Sequence, residues 1–125
     1  MIFVGRLDME LCKAVFPFVA TDEVIITQER IEHIKSRHPG VYERYHTYMR
    51  SIVESPAYIL EDSKPNTIAL LGVYAGETKQ FMLIVRLHTA ADPEGYINSV
   101  ITFMRLSKKR YHEYIANKKI LYKRE

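Results

Sequence analysis

The sequence predicts an α+β fold, with helices gathered in its N-terminal half and an antiparallel sheet in its C-terminal half. Three observations predict it. Before Pro56 apolar residues recur at three and four positions, the spacing of one helical face, as in the stripe Tyr42, Tyr45, Met49, Ile52. After Pro56 the period falls towards two, the repeat of a strand. The later apolar segments are joined by short turn clusters, Ser63-Lys64-Pro65-Asn66 and Ala75-Gly76-Glu77, of the kind that link antiparallel neighbours.

Taken in order, Ile2 to Val4 reads as a short opening strand. Asp8 to Ala14 reads as a brief helix with Leu11 and Val15 on one face, and Phe16-Pro17-Phe18 as an apolar turn that plugs the core. Val24-Ile25-Ile26 is a short buried strand. Thr27 is a good N-cap for the next helix, and Glu29 in its first turn suits the helix dipole. That helix runs to about Arg37, because Pro39 disfavours helical backbone at His38. Pro39 then suits the first turn of a second helix, which ends near Glu54. Strands follow at Tyr58 to Leu60, at Thr67 to Tyr74 (apolar on both faces, hence central), at Lys79 to Leu87 and at Ile97 to Leu106. A loop from His88 to Tyr96 carries Asp92-Pro93-Glu94-Gly95. Ser107 can cap a last helix, Lys108 to Asn117, packed through Tyr111, Tyr114 and Ile115, and Ile120 to Tyr122 adds a closing strand.

At 125 residues, 47% hydrophobic and 26% charged, the chain is expected to form one domain, 1–125, with its own core. No apolar run approaches the roughly 18 residues of a membrane span, so no membrane partner is expected. No basic segment followed by an apolar one opens the chain, and a single cysteine, Cys12, rules out an internal disulfide; both fit a cytoplasmic protein. Cys12 reads as a small core residue rather than a nucleophile. There is no zinc-ligand spacing, no phosphate-cradling glycine loop and no pair of carboxylates, and His33 and His38 lie five apart, wrong for one helical face. Neither a metal nor another cofactor is therefore expected. The net charge of +3 is mild, but its distribution is uneven. From Arg105 onward come Lys108, Lys109, Arg110, Lys118, Lys119, Lys123 and Arg124 against only Glu113 and Glu125. A phosphate-binding surface and a solvated charged tail both account for that run.

Four places can carry chemistry. His38 stands at a helix C-terminus, which favours the protonated imidazole, while Arg37 and its neighbours oppose it; such a group can titrate near neutrality. Arg30, His33 and Arg37 share a face by their spacing. Arg86 is a charge at the end of an apolar strand and either reaches the rim or enters a site on the sheet face. On the next strand, strict alternation puts Ser99 and Arg105 on one face and Thr102 on the other; only a bulge would bring Ser99 and Thr102 together. Lys108, Lys109 and Arg110 fill a first helical turn, where the dipole disfavours cations, yet such side chains beside free amides suit a phosphate. A histidine with Arg, Lys, Ser and Thr and no metal ligands suits cleavage of RNA, whose own 2′-hydroxyl can be the nucleophile.

The segment Val24-Ile25-Ile26-Thr27-Gln28-Glu29-Arg30-Ile31-Glu32-His33-Ile34, followed by Arg37-His38-Pro39, resembles the opening of the phage-type barnase–EndoU–colicin–RelE-like nuclease domains. Ser55-Pro56-Ala57-Tyr58-Ile59, Val85-Arg86-Leu87, Asn98-Ser99-Val100-Ile101-Thr102-Phe103 and Lys119-Ile120-Leu121-Tyr122-Lys123 continue the likeness in order, over 24–123. The resemblance implies N-terminal helices packed on a curved four-stranded antiparallel sheet, with a C-terminal helix. It implies a metal-independent RNA endonuclease, a toxin or a phage- or mobile-element-borne factor. Its partners would be RNA, such as tRNA or another structured RNA, and a cognate inhibitor protein. It points to His38 as acid/base, Arg86 as a cation near the scissile phosphate, and Ser99 with Thr102 as phosphate or base contacts. Arg37, Arg105, Lys108, Lys109 and Arg110 would bind the backbone, the Lys108–Arg110 turn sharing the developing charge with Arg86. One departure matters: relatives tend to place a lysine in the central strand, where this chain has Leu71-Gly72-Val73. The rival readings are a non-catalytic RNA- or protein-binding domain on the same scaffold and a small structural protein of a phage operon.

Overall fold

The computed structural model describes residues 1–15, 19–74, 76, 78–89, 92–93 and 97–124, with 14 and 15 described in the main chain only. The apolar turn 16–18, the face assigned to Val15, most of the 75–77 turn and the 94–96 part of the acidic loop lie outside the described residues. The elements run β1 (Ile2–Arg6), α1 (Met9–Val15), β2 (Glu23–Ile26), α2 (Gln28–Arg37), α3 (Val41–Tyr45), a 3-10 turn (His46–Tyr48), α4 (Met49–Glu54), β3 (Tyr58–Glu61), β4 (Thr67–Tyr74), β5 (Lys79–Arg86), β6 (Asn98–Leu106), α5 (Lys108–Asn117) and β7 (Ile120–Lys123).

Local chemistry explains the helix ends. Thr27 caps α2, its hydroxyl accepting from the Arg30 N–H at 3.2 Å. The helix closes at His38, whose N–H reaches the Ile34 carbonyl at 2.8 Å before the chain turns into Pro39. Pro39 does not enter the next helix. Gly40, at φ +81°, is the N-cap of α3, a conformation that costs glycine little and other residues more. The Tyr42–Ile52 stripe is also not one helix: Tyr45, at φ −125°, leaves helical geometry, and a 3-10 turn intervenes before α4. The stripe still faces inward, with Met49 and Ile52 buried and Tyr42 and Tyr45 packed at the core's edge.

The sheet has seven strands in the order β1-β2-β6-β5-β4-β3-β7. This corrects the four-stranded antiparallel sheet that the resemblance implies. Strands β6, β5, β4 and β3 do form such an antiparallel centre, and β4 pairs with β5 along their whole length. The sheet is then extended at both sides, by β7 beside β3 and by β2 and β1 beside β6. The β2–β6 pair is parallel, through Val24–Asn98 and Ile25–Ser99. Parallel neighbours need a long crossover, which the helices and three strands between them provide.

Each face of the sheet carries a core. One packs Ile31 and Ile34 of α2 and Met49, Ile52 and Val53 of α4 on Phe81, Leu83, Val85 and Phe103. Phe81 and Phe103 stack at its centre, with ring centroids 5.6 Å apart. Gly72 lets α4 approach, because a Cβ there would lie 2.8 Å from Ile52 Cγ1. The opposite face packs Leu60, Leu71, Met82 and Leu106 under Tyr111 of α5, with Tyr114 and Ile115 at the margin.

Candidate functional site

A bulge in β6 decides which residues share the sheet's α5-side face. Val85 pairs with Val100 but Ile84 pairs with Thr102, so Ile101 is an extra residue. Ser99 pairs with Arg86 and Thr102 with Ile84, and these partners are two apart on β5. Ser99 and Thr102 therefore stand on the face of Ile84 and Arg86. Arg105, opposite Phe81, is thrown to the other side, which corrects the strict-alternation reading that grouped it with Ser99.

Arg86 is the hub. It lies at the end of β5 with its side chain 38% exposed, and it lines two cavities. The first, of about 450 Å³, brings it together with Ser99, His88 and Asp92. Its guanidinium forks onto Asp92, with Nη2 to Oδ1 at 3.0 Å and Nη1 to Oδ2 at 3.2 Å, and Nη1 also donates to the Leu87 carbonyl. Asp92 accepts in addition from the Thr89 N–H at 2.9 Å. The Arg86 hydrogen bonds, then the Thr89 N–H, hold its carboxyl down at about 2. His88 Nδ1 lies 3.8 Å from Asp92 Oδ2, its side chain only 10% exposed. One carboxylate thus orients an arginine and stands beside a histidine in a single pocket. These three bonds use three of the five guanidinium donors, and the other two have no partner among the described residues.

Asn98 fixes this corner. It is fully buried. Its amide donates to the carbonyls of Thr21 at 2.7 Å and Glu23 at 2.9 Å, and its oxygen accepts the His88 N–H at 2.6 Å. The start of β6, the approach to β2 and the His88 segment are tied at one side chain.

The second cavity, of about 410 Å³, lies on the other side of Arg86 and holds Thr102. His38 lines neither cavity. It is half-buried at the C-cap of α2, about 12 Å along the helix from Arg30, which does line the second one. Burial first, then the charges of Arg37 and His33, lowers its pKa below the ordinary histidine value. That shift favours the neutral imidazole. Arg37 itself is exposed.

The basic turn lies elsewhere. Arg105 and Lys108 line a third cavity with Gln80, at the opposite end of β5 from Arg86. Gln80 and Arg86 lie six positions apart along the strand, about 20 Å. The Lys108–Arg110 turn therefore cannot act on the same phosphate as Arg86, contrary to the mechanism inferred above. Its side chains also do not all face the helix amides. Ser107 caps α5 through the Arg110 N–H at 3.1 Å, while Lys109 lies 3.9 Å from Glu113 and Arg110 donates to the Tyr114 hydroxyl at 3.2 Å.

Sequence reasoning placed Arg30 on a helical face without assigning it to a site, and it missed Asp92, His88 and Asn98. The only signal was a polar loop leaving the strand that ends in Arg86. Among the described residues, no three His, Cys, Asp or Glu side chains are grouped so as to hold a metal ion, and no helix is long and apolar enough to cross a membrane. Burial raises the Cys12 thiol to about 11, which makes it unreactive.

The family model described as "phage-Barnase-EndoU-ColicinE5/D-RelE like nuclease2" matches residues 4–123. The chain belongs to this family. The match begins in β1 and ends in β7, so both edge strands of the sheet belong to the nuclease-like domain along with its antiparallel centre. Neither the curated proteins nor the solved structures give a significant match.

Proposed function

We propose that this nuclease-like domain is a metal-independent endoribonuclease, cutting RNA by attack of the substrate's own 2′-hydroxyl. The observation that carries the reading is the Arg86 pocket. There an arginine fixed by Asp92 stands across from Ser99 and beside His88, on an accessible end of the sheet. A fixed guanidinium stabilises charge that develops on the phosphoryl oxygens without reorganising. In the reaction the 2′-oxygen bonds to phosphorus as the P–O5′ bond breaks. The 2′-hydroxyl proton passes to a neutral imidazole, the departing 5′-oxygen takes a proton from the imidazolium so formed or from water, and a 2′,3′-cyclic phosphate remains. Ser99 and Thr102 serve as contacts to the phosphate or an adjoining base.

The acid/base role falls to His38, whose lowered pKa keeps a neutral base at pH 7. A second reading gives it to His88, because His88 lines the Arg86 cavity and His38 does not. The test uses purified protein with total RNA and tRNA, with and without EDTA, beside His38→Ala and His88→Ala. Losing the acid/base group should lower the rate by roughly 10²–10⁴-fold, and that group's identity decides between the readings. A substrate carrying a 2′-deoxy nucleotide at the cut should be inert. Cleavage that needs Mg²⁺, or that survives both substitutions at full rate, refutes the mechanism. Binding without cleavage by the wild type would make the domain an RNA-binding module.

A further inference from the structure

The second cavity beside Arg86 enters the chemistry above only through Arg86 and Thr102, yet the rest of its lining is unusual. Arg30 from α2, Lys64 from the β3–β4 turn and Arg86 from β5 converge on about 410 Å³, a volume within the ordinary range of small-ligand sites. Thr67 and Thr102 add hydroxyls. Three cations meet one carboxylate in the lining, Asp62, and that group accepts the Lys64 backbone N–H at 3.4 Å. Arg86 is compensated by Asp92 on its other side. Arg30 and Lys64 have no carboxylate partner among the described residues. The surplus positive charge of this end of the sheet therefore lies in the second cavity, not at Arg86.

The frame that holds these cations is ordered. Lys64 sits in a turn whose Asn66 takes a left-handed conformation, φ 55°, and whose Asn66 carbonyl accepts the Leu87 N–H at 2.7 Å. Buried Thr67 donates its hydroxyl to the Pro65 carbonyl at 3.0 Å. The turn is thereby pinned to the end of β5, next to Arg86. Arg30 is set by the capped first turn of α2, which packs against β6. Thr102 faces the cavity only because of the Ile101 bulge.

We propose that this cavity is a second phosphate subsite, taking the phosphodiester that adjoins the one held at Arg86 in a single RNA strand. The proposal rests on the RNA-cleaving reading for its substrate class. An arginine shared by two adjoining cavities can contact consecutive phosphates, and the uncompensated Arg30 and Lys64 supply the attraction for the second. A strand with at least two phosphodiesters is then the smallest ligand that fills the site.

The experiment measures binding of 2′-O-methyl oligonucleotides, which lack the attacking hydroxyl and stay intact. A dinucleotide carries one phosphodiester and a trinucleotide two. Arg30→Gln and Lys64→Gln should each weaken the trinucleotide about two- to five-fold, as for partly exposed charge pairs, and weaken the dinucleotide less, because its one phosphodiester can sit at Arg86 instead. Each should also reduce the salt slope for the trinucleotide by about 0.7, one single-strand phosphate contact. Lys13→Gln, an exposed lysine on α1, controls for net charge alone. Equal loss for both ligands, loss for neither, or loss matched by Lys13→Gln overturns the subsite. Cleavage of the all-ribose trinucleotide is scored separately. Variant-sensitive binding without cleavage keeps the subsite and sinks the nuclease reading; cleavage with variant-insensitive binding does the reverse.

Discussion

Replacing Asn98 with alanine should unhinge the corner on which the Arg86 pocket is built. The side chain is fully buried and makes three hydrogen bonds, at 2.6, 2.7 and 2.9 Å, to backbone groups of two separate segments, the approach to β2 and the residues after β5. Truncation leaves the His88 N–H without its acceptor and two carbonyls short of a donor. An orphaned buried group costs roughly 1–3 kcal/mol, and carbonyls retain a second lone pair, so the total is about 3–5 kcal/mol. That is a large share of a stability of roughly 5–15 kcal/mol. In urea, with a slope of about 2 kcal/mol per molar, the unfolding midpoint should fall by about 2 M. Asn98→Asp is the sharper probe. It keeps an acceptor for His88 but faces an anionic oxygen towards the Thr21 and Glu23 carbonyls, so it should destabilise at least as much as alanine. A midpoint shift under 0.5 M for either variant (roughly 1 kcal/mol at that slope) would refute the view that Asn98 ties the site together.

The remaining predictions are more local. Asp92→Asn should preserve the fold but lower the cleavage rate through a mobile Arg86; Asp92→Glu should restore part of it, and an unchanged rate would remove Asp92 from the site. The Asp92 carboxyl is held at about 2, below its ordinary 3.8, so its contribution to stability is present above pH 4 and lost as pH falls towards 2. Acid unfolding of Asp92→Asn should lack that component. The His38 pKa is lowered, so the unfolded chain binds more protons just below pH 6.5; stability contributed by neutral His38 is present above that value and declines as pH falls through the folded pKa. A titration of His38 by NMR with its midpoint above 6.5 would contradict this. Charge reversal at Lys108 and Lys109 should weaken RNA binding across unrelated sequences without lowering the rate at saturating substrate, because Lys108 shares a cavity with Gln80, about 20 Å along β5 from Arg86. A fall in saturated rate would place it at the chemistry after all.

How much of this was legible in the sequence differs by level. Every strand announces itself through local pattern, including the short edges at Ile2 and Ile120, because a strand's signal lies within its own few residues. Pairing does not, since nothing in Val24-Ile25-Ile26 says that its neighbour is Asn98 and Ser99, seventy-odd residues on, and parallel. The bulge hides for a related reason. Val100 and Ile101 are both aliphatic, and either can face a core, so the extra residue leaves no break in hydropathy. Yet that residue decides whether Thr102 joins Ser99 or Arg105. Arg86 stands out as a charge closing an apolar run, whereas its partner Asp92 lies six residues away across a loop and has no periodic relation to it. The first-turn cations of α5 mislead for a physical reason as well. Lys109 and Arg110 turn back along the helix to Glu113 and Tyr114, which relieves part of the clash with the dipole without any ligand.

The departure at Leu71-Gly72-Val73 bears on how this family member can work. Leu71 is fully buried on the face covered by α5, against Leu60, Met82 and Tyr111. Gly72 faces α4 with no room for a Cβ. Val73 packs at the margin of the α5 cluster. An ammonium at Leu71 or Gly72 would lose its water without gaining a partner, and its pKa would fall. Leu71 and Gly72 are thus closed to a catalytic lysine, and the cation of the proposed site stands instead at the end of β5, where Arg86 meets solvent. Arginine is not an equivalent replacement. Its guanidinium stays protonated in proteins, so it can stabilise charge but cannot carry a proton between substrate atoms. On the proposed reading, the two duties that one lysine might combine are divided here. Arg86 supplies the electrostatics, and a histidine must supply the proton transfer.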